Sequence, residues 1–555
     1  MNPGARGIEA PRWASLSFGG WLLGLPLWAW LGVFVLYPLV SVLLTSAGES
    51  YWEILLAPHT RRAIANTLAL GATVAVLATT VAFLYAYTVT RIALPKRVHR
   101  LLHFIALIPT VTPPFVFGVS LILLFGRRGL VTHTWLGLSG VDLYGFPGLV
   151  IVQVLAFFPY AYLLLRSLLL EMDPTLDEAG IVYGGTPFYV LRRITLRLLL
   201  PGCASAVFLV FTLSTTDLGN PMFIGGDFMV LTSQIYVTVI GLFNLKAGSV
   251  LAVVLLIPCL VLLGLQKYVA ARESYATVGE RAARPAMRTA DPWIRLPLVA
   301  LSFAMAAFVI VFYLMIVVGA SVKIWGVNYT LTFEHFHRVL FESWMLGTRA
   351  VLDTMLLGAI GAVVGSGIGL LGGYLVTYSR VPGRHWFDLC VTLPMAVPGI
   401  LMGLGFSIAF NQPPLLLSGT AFIIVAIFLV RTVPYSQRAV VAAIMQVHKS
   451  LREASIMAGA TELQTFRRVV FPMIRPAVLA GIIFNFTRNI TTLSGVIFVV
   501  SPRWRLLTAA MLAEVETGRI GGAASLGTLL IVVVWCVNLL GYLLFERKNL
   551  RRLGA

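Results

Sequence analysis

Long apolar runs dominate the chain and are broken at intervals by short polar segments. From Trp13 to Gly48 no residue carries a charge, and a helix needs only about 20 apolar residues to cross a bilayer. Runs of this kind predict twelve spans, at 20–46, 64–90, 101–126, 147–170, 200–217, 248–271, 296–322, 350–379, 386–410, 417–437, 473–500 and 521–546. The first run follows Arg6 and Arg12 but is far longer than the apolar core of a signal peptide, so it reads as a retained first span. The fold class is therefore an all-α polytopic membrane protein. Against that background the stretch REASIMAGATELQTFRRVVFP (452–472) is unusually polar, amphipathic and interrupted by glycine.

The chain is written twice. DEAGIVYGGTPFYVLRRITLRLLLP (177–201) aligns with REASIMAGATELQTFRRVVFPMIRP (452–476) at an offset of 275, matching Glu178 to Glu453, Ala179 to Ala454, Gly184 to Gly459, Arg192-Arg193 to Arg467-Arg468 and Pro201 to Pro476. The same offset carries Pro159-Tyr160 onto Pro434-Tyr435 and Phe211-Thr212 onto Phe486-Thr487. Upstream, Pro109, Pro113 and Gly118 match Pro394, Pro398 and Gly403 at an offset of 285. The first half thus has ten extra residues, which fit the loop GRRGLVTHTWLGLSGVDLYG. Two repeats follow, 1–271 and 296–555, joined by a polar linker at 272–295 that lacks apolar periodicity. Six spans per repeat give both the same orientation, so the repeats are parallel.

Composition agrees and removes several function classes. Hydrophobic residues make up 59% of the 555, charged residues 11%, and the mean hydropathy is +0.90, which no soluble domain could bury. The net charge of +19 would suit nucleic acid if it were clustered. Instead Lys and Arg concentrate, more than two to one, in the loops on one side of the predicted spans. That is the bias of cytoplasmic loops and predicts both termini in the cytoplasm, with the bilayer and not nucleic acid as the partner. Cys203, Cys259, Cys390 and Cys536 lie inside apolar runs and read as small core residues. The chain has no G-x-x-x-x-G-K-[ST] loop and no metal-ligand pair of the H-x-x-x-H kind in its polar segments. It is predicted to have no catalytic residue, no metal site and no cofactor of its own.

In each half the polar stretch falls between the fourth and fifth spans and reads as helix, glycine turn, helix. Such a unit can lie among lipid headgroups or dock on a cytosolic partner. A headgroup helix needs neither a glycine at a fixed position nor an acidic first turn, and a glutamate would be repelled by anionic lipid. At these residues the chain resembles the permeases of binding-protein-dependent ABC importers, whose cytoplasmic loop reads E-A-A, three residues, G, nine residues, I-x-L-P. Glu453-Ala454-Ser455, Gly459 and Val469-Val470-Phe471-Pro472 fit it. Glu178-Ala179-Gly180, Gly184 and Ile194-Thr195-Leu196 fit too, although Arg197 stands where proline is usual.

The resemblance implies that segments of about 174–201 and 449–476 insert coupling helices into two copies of a separate cytoplasmic ATPase, with Glu178, Ala179, Gly184, Glu453, Ala454 and Gly459 as coupling residues. ATP and Mg would be bound by that ATPase, and an external solute-binding protein would deliver the cargo for translocation by alternating access across a prokaryotic inner membrane. A twelve-span secondary transporter is the alternative; it would expect coupling carboxylates or histidines within the spans, and these are nearly absent. A channel or scaffold would not need matched cytoplasmic helices in both halves.

An ionisable residue inside a span costs roughly 2.5–3.5 kcal/mol on insertion scales and is a functional candidate. Asp217 closes the fifth span and Arg488 lies in the eleventh. With their polar neighbours they give the candidate pathway set Ser214, Thr215, Thr216, Asp217, Arg488, Asn489, Thr491 and Thr492, though hydroxyls and amides also bond helix to helix in membranes. The offset places Arg488 opposite Leu213 and Asp217 opposite Thr492. Arg431 has only Ala156 as its counterpart and is expected to snorkel or to pair helices. Pro109, Pro113, Pro394 and Pro398 are expected to break spans three and nine, freeing carbonyls that must face protein or a water-filled cavity, with structural kinks as the alternative reading. The runs DLGNP…IGGDF…VLTSQIY and TTLSGVIFVVSP resemble fused permeases of the ferric-iron and 2-aminoethylphosphonate group, the GNP-x-x-I-G-G form being nearer the phosphonate members. The implied cargo is ferric iron or an organophosphorus compound.

Overall fold

The computed structural model describes residues 18–138, 140–273, 291–342, 347–378 and 383–553. The middle of the expected linker, 274–290, lies outside the described residues. Among the described residues eleven helices are long and apolar enough to cross a membrane, and one sharply bent helix pair, counted as one span, brings the number to twelve. The first half comprises α1 (Gly24–Ser46), α2 (Pro58–Arg91), α3 (Lys96–Leu107), α4 (Val116–Phe125), α5 (Phe146–Glu171), the short α6 (Pro174–Val182), α7 (Pro187–Thr215), α8 (Leu231–Gly241) and α9 (Leu245–Glu273). The second repeats the plan with α10 (Pro292–Ala320), α11 (Thr348–Tyr378), α12 (Arg384–Ala396), α13 (Gly399–Ala409), α14 (Ala421–Met445), the short α15 (Lys449–Met457), α16 (Glu462–Thr491), α17 (Leu507–Glu516) and α18 (Ile520–Leu553). After α10 the chain forms an antiparallel hairpin, β1 (Val322–Ile324) with β2 (Asn328–Leu331).

Three expected spans differ from what the chain does. The third, 101–126, is interrupted between α3 and α4, where Pro109, Pro113 and Pro114 withhold three backbone donors. The ninth, 386–410, breaks at Val397-Pro398 and turns by 108° between α12 and α13. Pro109, Pro113 and Pro398 thus lie at breaks, as expected, whereas Pro394 sits inside α12. The eleventh, expected over 473–500, ends at Thr491, and residues 492–506 run as turns. By contrast Pro159, Pro201, Pro434 and Pro476 sit inside continuous helices. The polar helix after each glycine turn runs unbroken into the next span, as α7 and α16.

Each half is built on three tightly packed helices, α2 with α5 and α7, and α11 with α14 and α16. Lipid offers no hydrophobic drive for such packing, so close backbone approach must supply the contact energy. In α11 a Cβ on Gly369 would stand 2.5 Å from Cβ of Ser436 and 2.9 Å from the backbone N of Gln437 in α14. The equivalent face of α2 is lined by the buried alanines Ala75, Ala78, Ala82 and Ala86.

The ends of the two halves are exchanged. One core joins α2, α4, α5 and α7 of the first half with α10 and α18 of the second. The other joins α11 to α14 with α1, α8 and α9 of the first half. At the crossings, α1 packs on α13 and α10 packs on α4; Ser120 of α4 donates to the Phe312 carbonyl of α10 at 2.5 Å, and the Thr112 and Tyr313 hydroxyls bond. The halves also meet where the Tyr236 hydroxyl of α8 donates to Glu516 at the end of α17, at 3.3 Å.

Candidate functional site

Two sites follow from this plan, one at the paired polar turns and one where the halves meet. At the turns, α6 leaves the end of α5 and α15 leaves the end of α14. Asp173 caps α6 by accepting the Thr175 amide at 3.0 Å, and His448 caps α15 by accepting from Ser450 at 3.4 Å. Both helices then end in the same way. Gly184 donates to Ile181 and Gly459 to Ile456, each at 2.9 Å, and both glycines adopt φ of +84°. A Cβ at either position would meet nothing within 4 Å, so glycine is needed for the left-handed backbone and not for space. The next helix starts from Thr186 in the first half and from the Thr461–Gln464 capping box in the second. Glu178, Ala179, Glu453 and Ala454 are exposed, beside the bare apolar side chains of Val182, Tyr183 and Met457, each more than 80% exposed.

The two turns are fastened differently, and the sequence reading missed this. In the first, Asp177 is buried and forms an ion pair of 3.4 Å with Arg91 at the end of α2. Thr195 donates to the same carboxylate at 3.2 Å, and Arg91 also donates to the Leu169 carbonyl at 3.1 Å. Burial pushes the Asp177 carboxyl above the ordinary aspartate value, and Arg91 and Thr195 pull it part of the way back. The offset puts Arg452 in the matching place. Arg452 pairs with the exposed Glu462 at 3.1 Å and covers the ring of Tyr378 at 4.5 Å, while Ser455 bonds Thr465 at 2.9 Å.

Of the eight residues expected around the pathway, most are committed within their own half. Thr215, Thr216 and Thr491 donate to carbonyls one turn back in their helices. Ser214 donates to Gln153 of α5 at 2.5 Å, and Asn489 donates to the Gly358 carbonyl of α11 at 3.2 Å. Asp217 accepts from Gln153 at 3.0 Å and from the Asn220 side chain at 2.7 Å, which staples the end of α7 to the turn beyond it. The Thr492 carbonyl accepts from Thr508 of α17 at 2.9 Å.

Arg488 differs. Its guanidinium reaches across to the other half and donates to the Tyr160 hydroxyl at 3.4 Å, with the Tyr435 hydroxyl as a second partner. Tyr160 and Tyr435 are matched positions of the repeat, so one arginine is held between symmetry-related tyrosines. Arg431 lies close enough to Arg488 for the charges to repel, and donates to the Val397 carbonyl at the α12–α13 break at 3.3 Å. It covers the start of α13, where a Cβ on Gly399 would be 3.4 Å from its guanidinium. Arg431 therefore pairs helices, as expected, at the α12–α13 break. Its lack of a counterpart in the first half was the signal in the sequence.

Comparison with known proteins agrees with this geometry. A family model described as binding-protein-dependent transport system inner membrane component matches twice, over residues 78–275 and 365–551. The ferric transport system permease protein FbpB of Actinobacillus pleuropneumoniae is 31% identical over 519 residues, 91% of this chain and 75% of that protein. A putative ferric transport system permease protein, FbpB 1 of Haemophilus influenzae, is 30% identical over 486 residues, 85% of this chain and 77% of its own length. A putative 2-aminoethylphosphonate transport system permease protein, PhnV of Salmonella typhimurium, is 22% identical over 203 residues, 36% of this chain and 75% of its own. The chain thus belongs to the family of ABC importer permeases, the inner membrane components of binding-protein-dependent transport systems, and carries the family's module twice.

Proposed function

We propose that the chain forms by itself the whole membrane pathway of an ATP-driven importer, taking solute from an external binding protein and releasing it into the cytoplasm. The observation that carries this reading is the pair of turns with identical glycine geometry, one in each half, each displaying a glutamate and bare apolar side chains. Two such surfaces call for two ATPase copies. The charge bias of the loops supports an arrangement with α6, α15 and both termini in the cytoplasm. ATP-driven closure of the two ATPases would push α6 and α15 together, and because α7 and α16 are continuous with the helices after those turns, the motion would pass directly to the residues where the halves meet. ATP and Mg would be held by the partner, leaving the chain itself without an enzymatic role. For the cargo, ferric iron and a 2-aminoethylphosphonate-like compound are the two classes supported, the ferric relatives aligning over more of the chain.

Purification of the chain with its ATPase in nanodiscs, and addition of the binding protein empty or loaded, tests the reading. Hydrolysis should rise with the loaded protein and should fall to the unstimulated level in a Glu178→Ala, Glu453→Ala double variant. Wild-type uptake by that double variant would refute the coupling role, and stimulation by ferric iron or by 2-aminoethylphosphonate alone would decide the cargo.

A further inference from the structure

Arg431, Arg488, Tyr160 and Tyr435 all lie within spans and are half-buried. Charged side chains within membrane spans face the interior of the bundle or a water-filled cavity, because lipid does not solvate them. Among the described residues neither arginine has a carboxylate within ion-pair distance. Among the described residues their hydrogen-bond partners are neutral acceptors, the Val397 carbonyl and the two tyrosine hydroxyls. Two like charges set near each other in a membrane interior repel, and each carries unused planar donors. The start of α13 beneath Arg431 adds further positive potential. Arg91, by contrast, is paired with an acid, Asp177. Among the described residues no three His, Cys, Asp or Glu side chains converge where a cation could be held.

From these observations we infer that Arg431 and Arg488, flanked by the Tyr160 and Tyr435 hydroxyls, form an oxyanion-binding subsite in the translocation path, and that the cargo passes it as an anion. This rests on the importer reading for its place in a pathway, but not for the binding itself. Guanidinium groups take phosphate, phosphonate, sulfate or carboxylate oxygens through paired charge-assisted bonds, and the hydroxyls supply further donors. A bare trivalent cation is repelled at the same point. An iron cargo would therefore cross with an anionic oxygen shell, and a free oxyanion would cross directly.

The full chain in nanodiscs, without partners, provides the test. Equilibrium dialysis would measure binding of inorganic phosphate, 2-aminoethylphosphonate, ferric citrate and, as a soluble trivalent cation, hexaamminecobalt(III). At least one anion should bind and the cation should not. Arg431→Gln and Arg488→Gln should each weaken the anion at least tenfold, and Arg431→Lys and Arg488→Lys, which keep the charge but lose the paired planar donors, should fall between Gln and wild type. Binding of phosphate or phosphonate points to a free oxyanion, and binding of ferric citrate alone to an anionic chelate. Absence of anion binding, binding of the cation, or Gln variants that bind like wild type would overturn the subsite. Failure of the ATPase to associate with the wild-type chain would instead overturn the importer reading and leave this measurement standing.

Discussion

Gly184 and Gly459 share a φ of +84° in open space, so an alanine at either place meets backbone strain and no clash. The left-handed conformation costs a non-glycine residue roughly 1–2 kcal/mol, enough to tilt the polar helix away from its docking pose. Gly459→Ala is expected to lower ATPase stimulation several-fold in the reconstituted complex. Gly264 of α9 is equally open but has an ordinary backbone, and Gly264→Ala should leave stimulation unchanged. Parallel loss in both variants would show that the turn geometry is irrelevant. These glycines were legible in the sequence because the repeat prints the same requirement twice. Asp177 was not, since its partner Arg91 is far away in the chain and its repeat mate Arg452 has the opposite charge. Arg431 could be marked as a charge without a counterpart, but only the fold turns it toward Arg488.

At the scale of elements, the two coupling helices are alike in outline and unlike in attachment. The Arg91–Asp177 pair is buried, with side chains 2% and 11% exposed. Removing one partner of such a pair leaves an uncompensated charge and typically costs about 3–5 kcal/mol. Asp177→Asn should therefore loosen α6, seen as faster amide exchange over 174–195 and weaker ATPase association. Arg452→Ala cuts a contact to a largely exposed glutamate and an aromatic face, each worth about 1 kcal/mol or less, so exchange over 449–470 should change little. Equal effects in the two loops would refute this asymmetry. Helix boundaries show a similar limit of sequence reading. Proline marked spans three and nine correctly as unusual, yet Pro159, Pro201, Pro434 and Pro476 stay inside intact helices. The breaks fall at Pro113-Pro114 and at Pro398-Gly399, but Pro201-Gly202 lies within intact α7, so the local sequence does not by itself tell a break from a tolerated proline.

At the scale of the whole molecule, the repeat in the sequence does not mark two separable bodies. Twelve spans and a parallel duplication were readable from apolar runs and offsets, because both are local properties of the chain. The exchange of ends was not, since it depends on which lipid-facing surfaces meet, and apolar residues look the same toward lipid or helix. Each core borrows helices from the other half: α10 and α18 complete the first, while α1 and α9 complete the second. A half expressed alone, 1–273 or 291–555, would therefore display Ser120 of α4 and Thr112 in the break before it, or the surface of α13 that meets α1, to lipid with their partners missing. Each alone is expected to accumulate poorly and to be degraded. The two expressed together should find one another and co-purify in equal amounts, because the contacts that close each core lie between halves and do not need the linker. Transport by the split pair should then approach that of the intact chain. Stable accumulation of either half alone would show that the exchanged helices are dispensable, and failure of the pair to assemble would show that the linker guides the exchange.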